Sequence, residues 1–253
     1  MKDYKTQVPD SYYEPIDNGG RIEEFTYSSI RSDNGNPCTK RALVYLPATY
    51  DSADSKMPVL YLMHGGGGDE EEFLYGQDRQ CHLINILDHM INSGELEPLV
   101  VIAPSFYYEK CQAVGHDISE AGVLTSNWHT EFRNDLIPAA EKLYKIRDDR
   151  EGRVFGGFSM GGCKTWDLYH EYPEHFAGFC PASALFPVKN NPFGKCPSDP
   201  GFNLSKAVPF FYSGGEDSPL PELPFQNDGS LERALYLAKT NDFKTSFDDI
   251  KFE

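Results

Sequence analysis

The chain has 253 residues, of which 40% are hydrophobic and 13% aromatic, and its formal net charge is −16. This length and apolar content predict one large domain, residues 1–253, with a substantial core. So acidic a chain is a poor partner for nucleic acids and anionic membranes, which are polyanions, and no run of about 18 apolar residues predicts a membrane-spanning helix.

The first half of the chain predicts an antiparallel pair of strands and then two buried strands separated by a helix. Alternating polarity around a turn cluster indicates the hairpin, continuous apolar runs indicate strands buried on both faces, and apolar residues at helical spacing indicate the helix. In chain order, these elements are strands at 22–30 and 41–47, a strand at 57–63, a helix at 79–92 and a strand at 99–103.

The second half continues the alternation after a long aromatic insertion at residues 105–128. Its predicted elements are a helix at 131–144, a strand at 153–155, a helix at 163–169, strands at 176–181 and 208–212, a short helix at 230–238 and the start of a strand at 249–252. Strands alternating with helices predict a three-layer α/β/α fold around a doubly wound, mostly parallel sheet.

The six cysteines show no CxxC pair and no metal-ligand spacing, so no metal site is predicted. Cys163 and Cys180 fall in a predicted helix and strand and are expected to be buried thiols. Four cysteines in loops or at helix edges could form disulfides in an oxidising compartment: Cys38, Cys81, Cys111 and Cys196. Asn203-Leu204-Ser205 is a glycosylation sequon. Secretion is therefore the predicted localisation, although the polar residues 1–5 predict no signal peptide in this chain.

The most informative motif is GGFSMGG, residues 156–162, between a predicted strand and a predicted helix. Gly157-x-Ser159-x-Gly161 matches the nucleophile elbow, a strained strand-to-helix turn that exposes a serine hydroxyl. Glycines are required because side chains there would collide with the packed strand and helix. The N–H of Met160 would lie at a helix N-terminus, where it can stabilise an oxyanion. The alternative is a glycine-rich turn with an incidental serine.

A second glycine-rich loop, His64-Gly65-Gly66-Gly67-Gly68, follows the predicted strand at 57–63. Because active groups in doubly wound sheets gather at the carboxyl ends of strands, the N–H of Gly65 or Gly66 could supply a second oxyanion donor. A phosphate-binding loop is the alternative, but its Lys-Ser/Thr ending is absent. His64 is predicted to organise the loop through hydrogen bonds rather than to act as the base.

A carboxylate follows the predicted strand at 208–212, in Gly-Gly-Glu-Asp. Asp217 could orient a histidine and stabilise its protonated form. Glu216 is the competing acid, and a capping role in the turn is the alternative for Asp217.

Together, HGGGG, GFSMGG and GGED resemble the esterase D/feruloyl esterase group of carbohydrate esterase family 1, over most of residues 40–253. The resemblance implies an α/β-hydrolase fold with Ser, His and Asp in the active site and no metal or other cofactor. It also implies release of ferulate or acetate from plant xylan, often by a module of a larger secreted enzyme, so that the partners are ferulated or acetylated xylan fragments. The site residues it implies are a nucleophile, an acid and backbone oxyanion donors: Ser159, Asp217, and Met160 with Gly65 or Gly66.

The sequence departs from this family at the triad histidine, which in the family follows the last strand in a Gly-x-His-x-Trp-like turn. None of the seven histidines lies after Asp217. We expect that this chain stops in the last strand, just short of that histidine. The alternatives are an internal histidine, with His129 or His116 considered first, and a pseudoenzyme that binds without cleaving.

A phenolic acyl group would need an apolar slot near Ser159. Candidate slot residues come from the aromatic insertion and from the segment after the strand at 176–181: Phe106, Tyr107, Tyr108, Trp128, Leu185 and Phe186. Core or loop packing is the alternative for each. The rival functions are an S-formylglutathione hydrolase and a non-catalytic carbohydrate- or phenolic-binding module.

Overall fold

The computed structural model describes residues 8–31, 34–75, 81–108, 128–182 and 208–209. Several predicted features lie outside these residues and are not tested by the structure: Asp217, Leu185, Phe186, His116, Cys111, Cys196 and the elements predicted at 230–238 and 249–252.

Seven strands in the described residues form one mixed sheet. They are β1 (Arg21–Ile30), β2 (Pro37–Leu46), β3 (Val59–Met63), β4 (Val100–Pro104), β5 (Arg153–Phe158), β6 (Gly178–Ala182) and β7 (Val208–Pro209). Their order across the sheet is β1-β2-β4-β3-β5-β6-β7. The pairs β1–β2 and β2–β4 are antiparallel, whereas the four pairs from β4 to β7 are parallel. The predicted hairpin and the predicted, mostly parallel sheet are both confirmed.

Four α-helices lie in the described residues. They are α1 (Leu83–Asn92), α2 (Trp128–Glu131), α3 (Ile137–Leu143) and α4 (Met160–Glu171). A π-helical turn, Phe132–Leu136, joins α2 to α3, so the helical segment begins three residues before the predicted start. None of the helices in the described part of the chain is long and apolar enough to cross a bilayer.

The alternation of side chains along the strands sends apolar groups to both faces of the sheet. On β2, Val44 packs in a core cluster with residues of α2 to α4, whereas its neighbour Leu43 packs with residues of α1 on the opposite face. All five residues of β3, and all five of β4, are buried. Burial on both faces explains their continuous apolar runs and confirms the three-layer α/β/α arrangement.

The strand before the elbow is longer than predicted. The sequence places its end at Phe155, but β5 continues through Gly156 and Gly157 to Phe158, pairing with β3 and β6. Close approach between strands is the physical reason, because a Cβ on Gly156 would lie 3.1 Å from the carbonyl oxygen of Cys180. Since β3 lies between β4 and β5, the loops after these three strands meet at one edge of the sheet.

Candidate active site

The turn from β5 into α4 holds Ser159 in a strained backbone conformation. Its φ of 51° and ψ of −111° make it the one non-glycine residue with positive φ among the residues that the structure describes. Such conformations cost about 1–3 kcal/mol and persist where the surroundings impose them. Here the Ser159 N–H donates to the carbonyl of Ala182 at 2.9 Å, and the Ser159 carbonyl accepts from the N–H of Cys163 at 2.9 Å. The serine is thereby tied both to the end of β6 and to the first turn of α4.

The two glycines that flank Ser159 in the motif are sterically required. A Cβ on Gly157 would lie 2.5 Å from the carbonyl carbon of Gly161, and a Cβ on Gly161 would lie 2.3 Å from the carbonyl oxygen of Met63. Real Cβ atoms do not approach backbone atoms so closely. The elbow therefore forms because β3, β5 and α4 can pack without side chains at these two positions, as the sequence predicted.

Met160 is the first residue of α4, so its N–H has no carbonyl partner within the helix. The helix has 12 residues, and the partial positive charge of its N-terminus lies beside the half-buried Ser159. A backbone donor next to a nucleophile in this arrangement can stabilise negative charge on a substrate oxygen.

The HGGGG loop packs directly against the elbow. A Cβ on Gly65 would lie 3.6 Å from the Cβ of Ser159 and 3.2 Å from the ring of Phe158. The N–H of Gly65 donates to Oε2 of Glu72 at 3.3 Å. A Cβ on Gly66, in contrast, would meet nothing within 4 Å, so this residue borders open space.

The far side of the loop is held by Tyr107. Gly67 has a φ of +80°, a conformation that favours glycine, and its N–H donates to the hydroxyl of Tyr107 at 3.2 Å. Tyr107 was predicted as a slot residue; here it is half-buried and contacts the loop itself.

His64 is fully buried at the start of this loop and fixes one peptide plane within it. Its Nε2 accepts a hydrogen bond from the N–H of Phe106 at 3.1 Å, so the ring proton is on Nδ1, which donates to the carbonyl of Gly65 at 2.6 Å. Burial lowers the pKa of His64 to about 4, which keeps the ring neutral near pH 7. These bonds agree with the predicted organising role.

The carbonyl that His64 holds belongs to the same peptide unit as the N–H of Gly66. In a trans peptide these two groups point in opposite directions, so fixing the Gly65 carbonyl also fixes the direction of the Gly66 N–H.

Two of the predicted slot residues lie in the core. Phe106 and Trp128 are 1% and 2% exposed, and their ring centroids are 5.3 Å apart. Trp128 also stacks on Phe132 at 4.9 Å, within the cluster that joins the sheet to α2 and α3. Neither side chain offers a surface to an acyl group in this structure, which matches the core alternative for both.

His129 lies at the wrong end of α4 to serve Ser159. Its Nε2 is 3.4 Å from Oε2 of Glu171, the last residue of α4, whereas Ser159 immediately precedes the first residue. A helix of 12 residues is about 18 Å long. The two side chains are therefore separated by the length of the helix.

Among the described residues, the thiols and possible metal ligands indicate no second chemical site at this edge of the sheet. Cys163 and Cys180 are buried, as predicted, and burial raises the pKa of the Cys180 thiol to about 12. In the described part of the chain, no group of three or more His, Cys, Asp or Glu side chains is arranged to hold a metal ion.

Comparison with known proteins relates this chain to esterases. Residues 35–214 match the family model of the Esterase family. Endo-1,4-beta-xylanase Y of Acetivibrio thermocellus is 39% identical over 201 residues, which are 76% of this chain and 17% of the relative. The endo-1,4-beta-xylanase/feruloyl esterase of Xylanibacter ruminicola is 28% identical over 213 residues, which are 81% of this chain and 26% of the relative. This chain thus spans a minor part of each curated relative's length.

A solved structure extends the similarity over the whole chain. It is the feruloyl esterase module from Clostridium thermocellum, a serine-to-alanine mutant complexed with sinapinate. The match covers 100% of both chains at 27% identity, with a TM-score of 0.67.

Proposed function

The chain belongs to the Esterase family and has an α/β-hydrolase fold, and from this premise we propose that it is a serine carboxylesterase that hydrolyses ferulate or acetate esters of plant cell-wall xylan. The observation that carries the proposal is the strained Ser159 at the N-terminus of α4, with the HGGGG loop packed against it. A hydroxyl group beside backbone N–H groups supports the roles of nucleophile and oxyanion donors.

In the proposed reaction, Ser159 Oγ attacks the carbonyl carbon of the ester and a general base takes the hydroxyl proton. The carbon–oxygen π pair moves onto the carbonyl oxygen, which becomes the oxyanion. Collapse of this intermediate breaks the ester bond, and the base gives its proton to the departing sugar oxygen, which leaves as a hydroxyl group. Water then attacks the acyl-enzyme in the same way and releases the acid, so the reaction needs protein groups and water alone.

We assign the two oxyanion donors to the N–H groups of Met160 and Gly66. The N–H of Gly65 already donates to Glu72, whereas no partner for the N–H of Gly66 occurs among the described residues. The hydrogen bond from His64 to the Gly65 carbonyl also fixes the direction of the Gly66 N–H. Gly66 is therefore better supported than Gly65 as the second donor.

We place the base outside the described residues, with Asp217 as its proposed orienting acid. His64 is buried and has hydrogen bonds at both ring nitrogens, and His129 lies at the far end of α4. Neither can take the proton of Ser159 from its position in this structure.

The substrate class is proposed from the relatives. Two curated relatives carry xylanase in their names, one carries feruloyl esterase as well, and the structural relative holds sinapinate, a phenolic acid. Xylan is a polymer outside the cell, so we also propose that the chain acts as a secreted module of a larger enzyme. Its partners would then be ferulated or acetylated xylan fragments.

The test is hydrolysis of methyl ferulate, p-nitrophenyl acetate and S-formylglutathione by the 253-residue chain and by a version extended past Glu253, with Ser159→Ala beside each. We expect Ser159→Ala to lower kcat/KM for methyl ferulate by about 10⁴-fold or more, with ferulate binding changed less than about threefold. Ser52→Ala, in an exposed turn, is the matched control and should retain full activity.

Each other result contradicts a part of the proposal. Turnover by Ser159→Ala equal to that of the unmodified protein would rule out Ser159 as the nucleophile. Faster turnover of S-formylglutathione than of either oxygen ester would indicate the thioesterase alternative. Ferulate binding without turnover, both by the unmodified chain and by a version extended past Glu253, would favour a phenolic-binding module.

A further inference from the structure

A buried ion pair connects the N-terminal hairpin to the start of α2. Nζ of Lys40, on β2, lies 2.8 Å from Oε1 of Glu131, and the two side chains are 1% and 5% exposed. The hydroxyl of Tyr27, on β1, donates to the same carboxylate oxygen at 2.9 Å. The pair lies on the face of the sheet that α2 covers.

The same lysine reaches the loop after β4. Its Nζ donates to the carbonyl oxygen of Ser105 at 2.7 Å. The hydroxyl of Ser105 lies 3.3 Å from Nε2 of His64 and accepts from the N–H of Tyr107 at 3.1 Å. A continuous series of polar contacts therefore runs from Glu131 through Lys40 and Ser105 to His64.

The pair is poorly suited to a purely stabilising role. Removing two charges from water costs several kcal/mol per ion, and buried pairs can often be replaced by apolar side chains without loss of stability. In addition, Oε2 of Glu131 is buried without a hydrogen-bond partner among the described residues. An unsatisfied buried carboxylate oxygen destabilises the fold.

We propose that Lys40 and Glu131 are positioning residues for the oxyanion hole. The Lys40 ammonium fixes the Ser105 carbonyl, and Ser105 with the neighbouring N–H of Phe106 holds the ring of His64. His64 in turn holds the Gly65 carbonyl, which directs the N–H of Gly66 toward the substrate. Glu131 holds the ammonium in place. This role rests on the proposed esterase function.

Three variants of the 253-residue chain separate positioning from stability. Lys40→Met removes the donor and leaves Glu131 buried without its ion pair, so both stability and loop order should fall. Lys40→Met with Glu131→Gln removes both charges and keeps an acceptor for Tyr27, so stability should recover while the donor to Ser105 is still missing. Lys56→Met is the matched control, since Lys56 and Asp148 form an exposed pair.

Two measurements compare these variants with the unmodified chain. The first is amide hydrogen exchange by NMR at Phe106 and Gly65–Gly68, which needs no turnover; we expect faster exchange in both Lys40 variants. The second is methyl ferulate hydrolysis, for which we expect kcat to fall about 10- to 100-fold, with KM within about threefold of the unmodified chain. Thermal unfolding measures stability in parallel.

The outcomes are distinguishable. Recovery of both loop protection and kcat in the double variant would show that the pair acts through stability alone and would overturn the positioning role. Unchanged exchange and kcat in Lys40→Met would overturn it as well. If neither the unmodified chain nor a version extended past Glu253 shows Ser159-dependent hydrolysis, the proposed function fails, and the exchange comparison alone decides the role of Lys40.

Discussion

Acid should destabilise this protein in part through His64. Substitution of this residue measures how much of the loss in the free energy of unfolding comes from its side chain. The imidazole is neutral in the folded chain because burial lowers its pKa from 6.5 to about 4. Between pH 6.5 and about 4, the unfolded chain therefore binds a proton on His64, whereas the folded chain does not. The stability that the neutral ring contributes is present above pH 6.5 and is lost as the pH falls toward about 4.

The magnitude follows from these two pKa values. Linkage gives a loss of about 2 kcal/mol between pH 7 and pH 5, and about 3 kcal/mol by pH 4, from this group alone. Such a loss is a large fraction of the free energy of unfolding of a typical domain, which is roughly 5–15 kcal/mol. Other groups titrate in the same range, so the quantity to measure is the difference between the unmodified chain and His64→Asn.

The assay is urea unfolding of both chains at pH 7, 5.5, 5 and 4, with the free energy of unfolding extrapolated to water. His64→Asn is expected to be less stable at pH 7, and the gap should narrow by about 2 kcal/mol at pH 5. Ile102→Val, a core truncation without a titrating group, is the control, and its gap should stay constant with pH. A constant gap for His64→Asn would refute the argument that the buried ring is neutral and held by its hydrogen bonds.

Two further predictions concern stability. Gly161→Ala should lower the free energy of unfolding by more than about 2 kcal/mol, because its Cβ would overlap the carbonyl oxygen of Met63, whereas Gly66→Ala should change it by less than about 0.5 kcal/mol. Similar losses for both in urea unfolding would contradict the steric account of the elbow. Trp128→Leu should lower the free energy of unfolding by about 2–4 kcal/mol, while KM for methyl ferulate changes less than about threefold. A large rise in KM at unchanged stability would instead identify a substrate contact.

Much of the framework could be predicted because its signals are local. The alternation in β1, the continuous apolar runs of β3 and β4, and the glycines around Ser159 each reflect constraints within a few residues. Local patterns also sufficed for the elbow, since a strained turn between a strand and a helix excludes side chains at fixed positions. The extension of β5 through Gly156 was not predicted, because consecutive glycines in a sequence usually indicate a turn. Here Gly156 permits the close approach of β5 to β6.

Features that depend on distant contacts could not be predicted. Whether Trp128 lines a slot or fills the core depends on Phe106, Phe132 and Phe155, which surround its ring. The choice between Gly65 and Gly66 depends on one peptide plane, which hydrogen bonds from His64 and from the N–H of Gly68 to the Gly65 carbonyl hold in place. Lys40 shows no pattern that would pair it with Glu131, because the two meet only when α2 packs on the hairpin.

The hydrogen bond from Ser159 to the end of β6 means that the strained conformation of the proposed nucleophile depends on assembly of the sheet. The N–H of Ser159 can donate to the Ala182 carbonyl only when β6 lies beside β5. Gly161 contacts the carbonyl of Met63 only when β3 is in place. These contacts join different segments of the chain, and non-local contacts of this kind slow folding. A peptide that contains GFSMGG without β3 and β6 lacks both of these contacts. The strained backbone of Ser159 is thus a property of the assembled sheet and not of the motif alone.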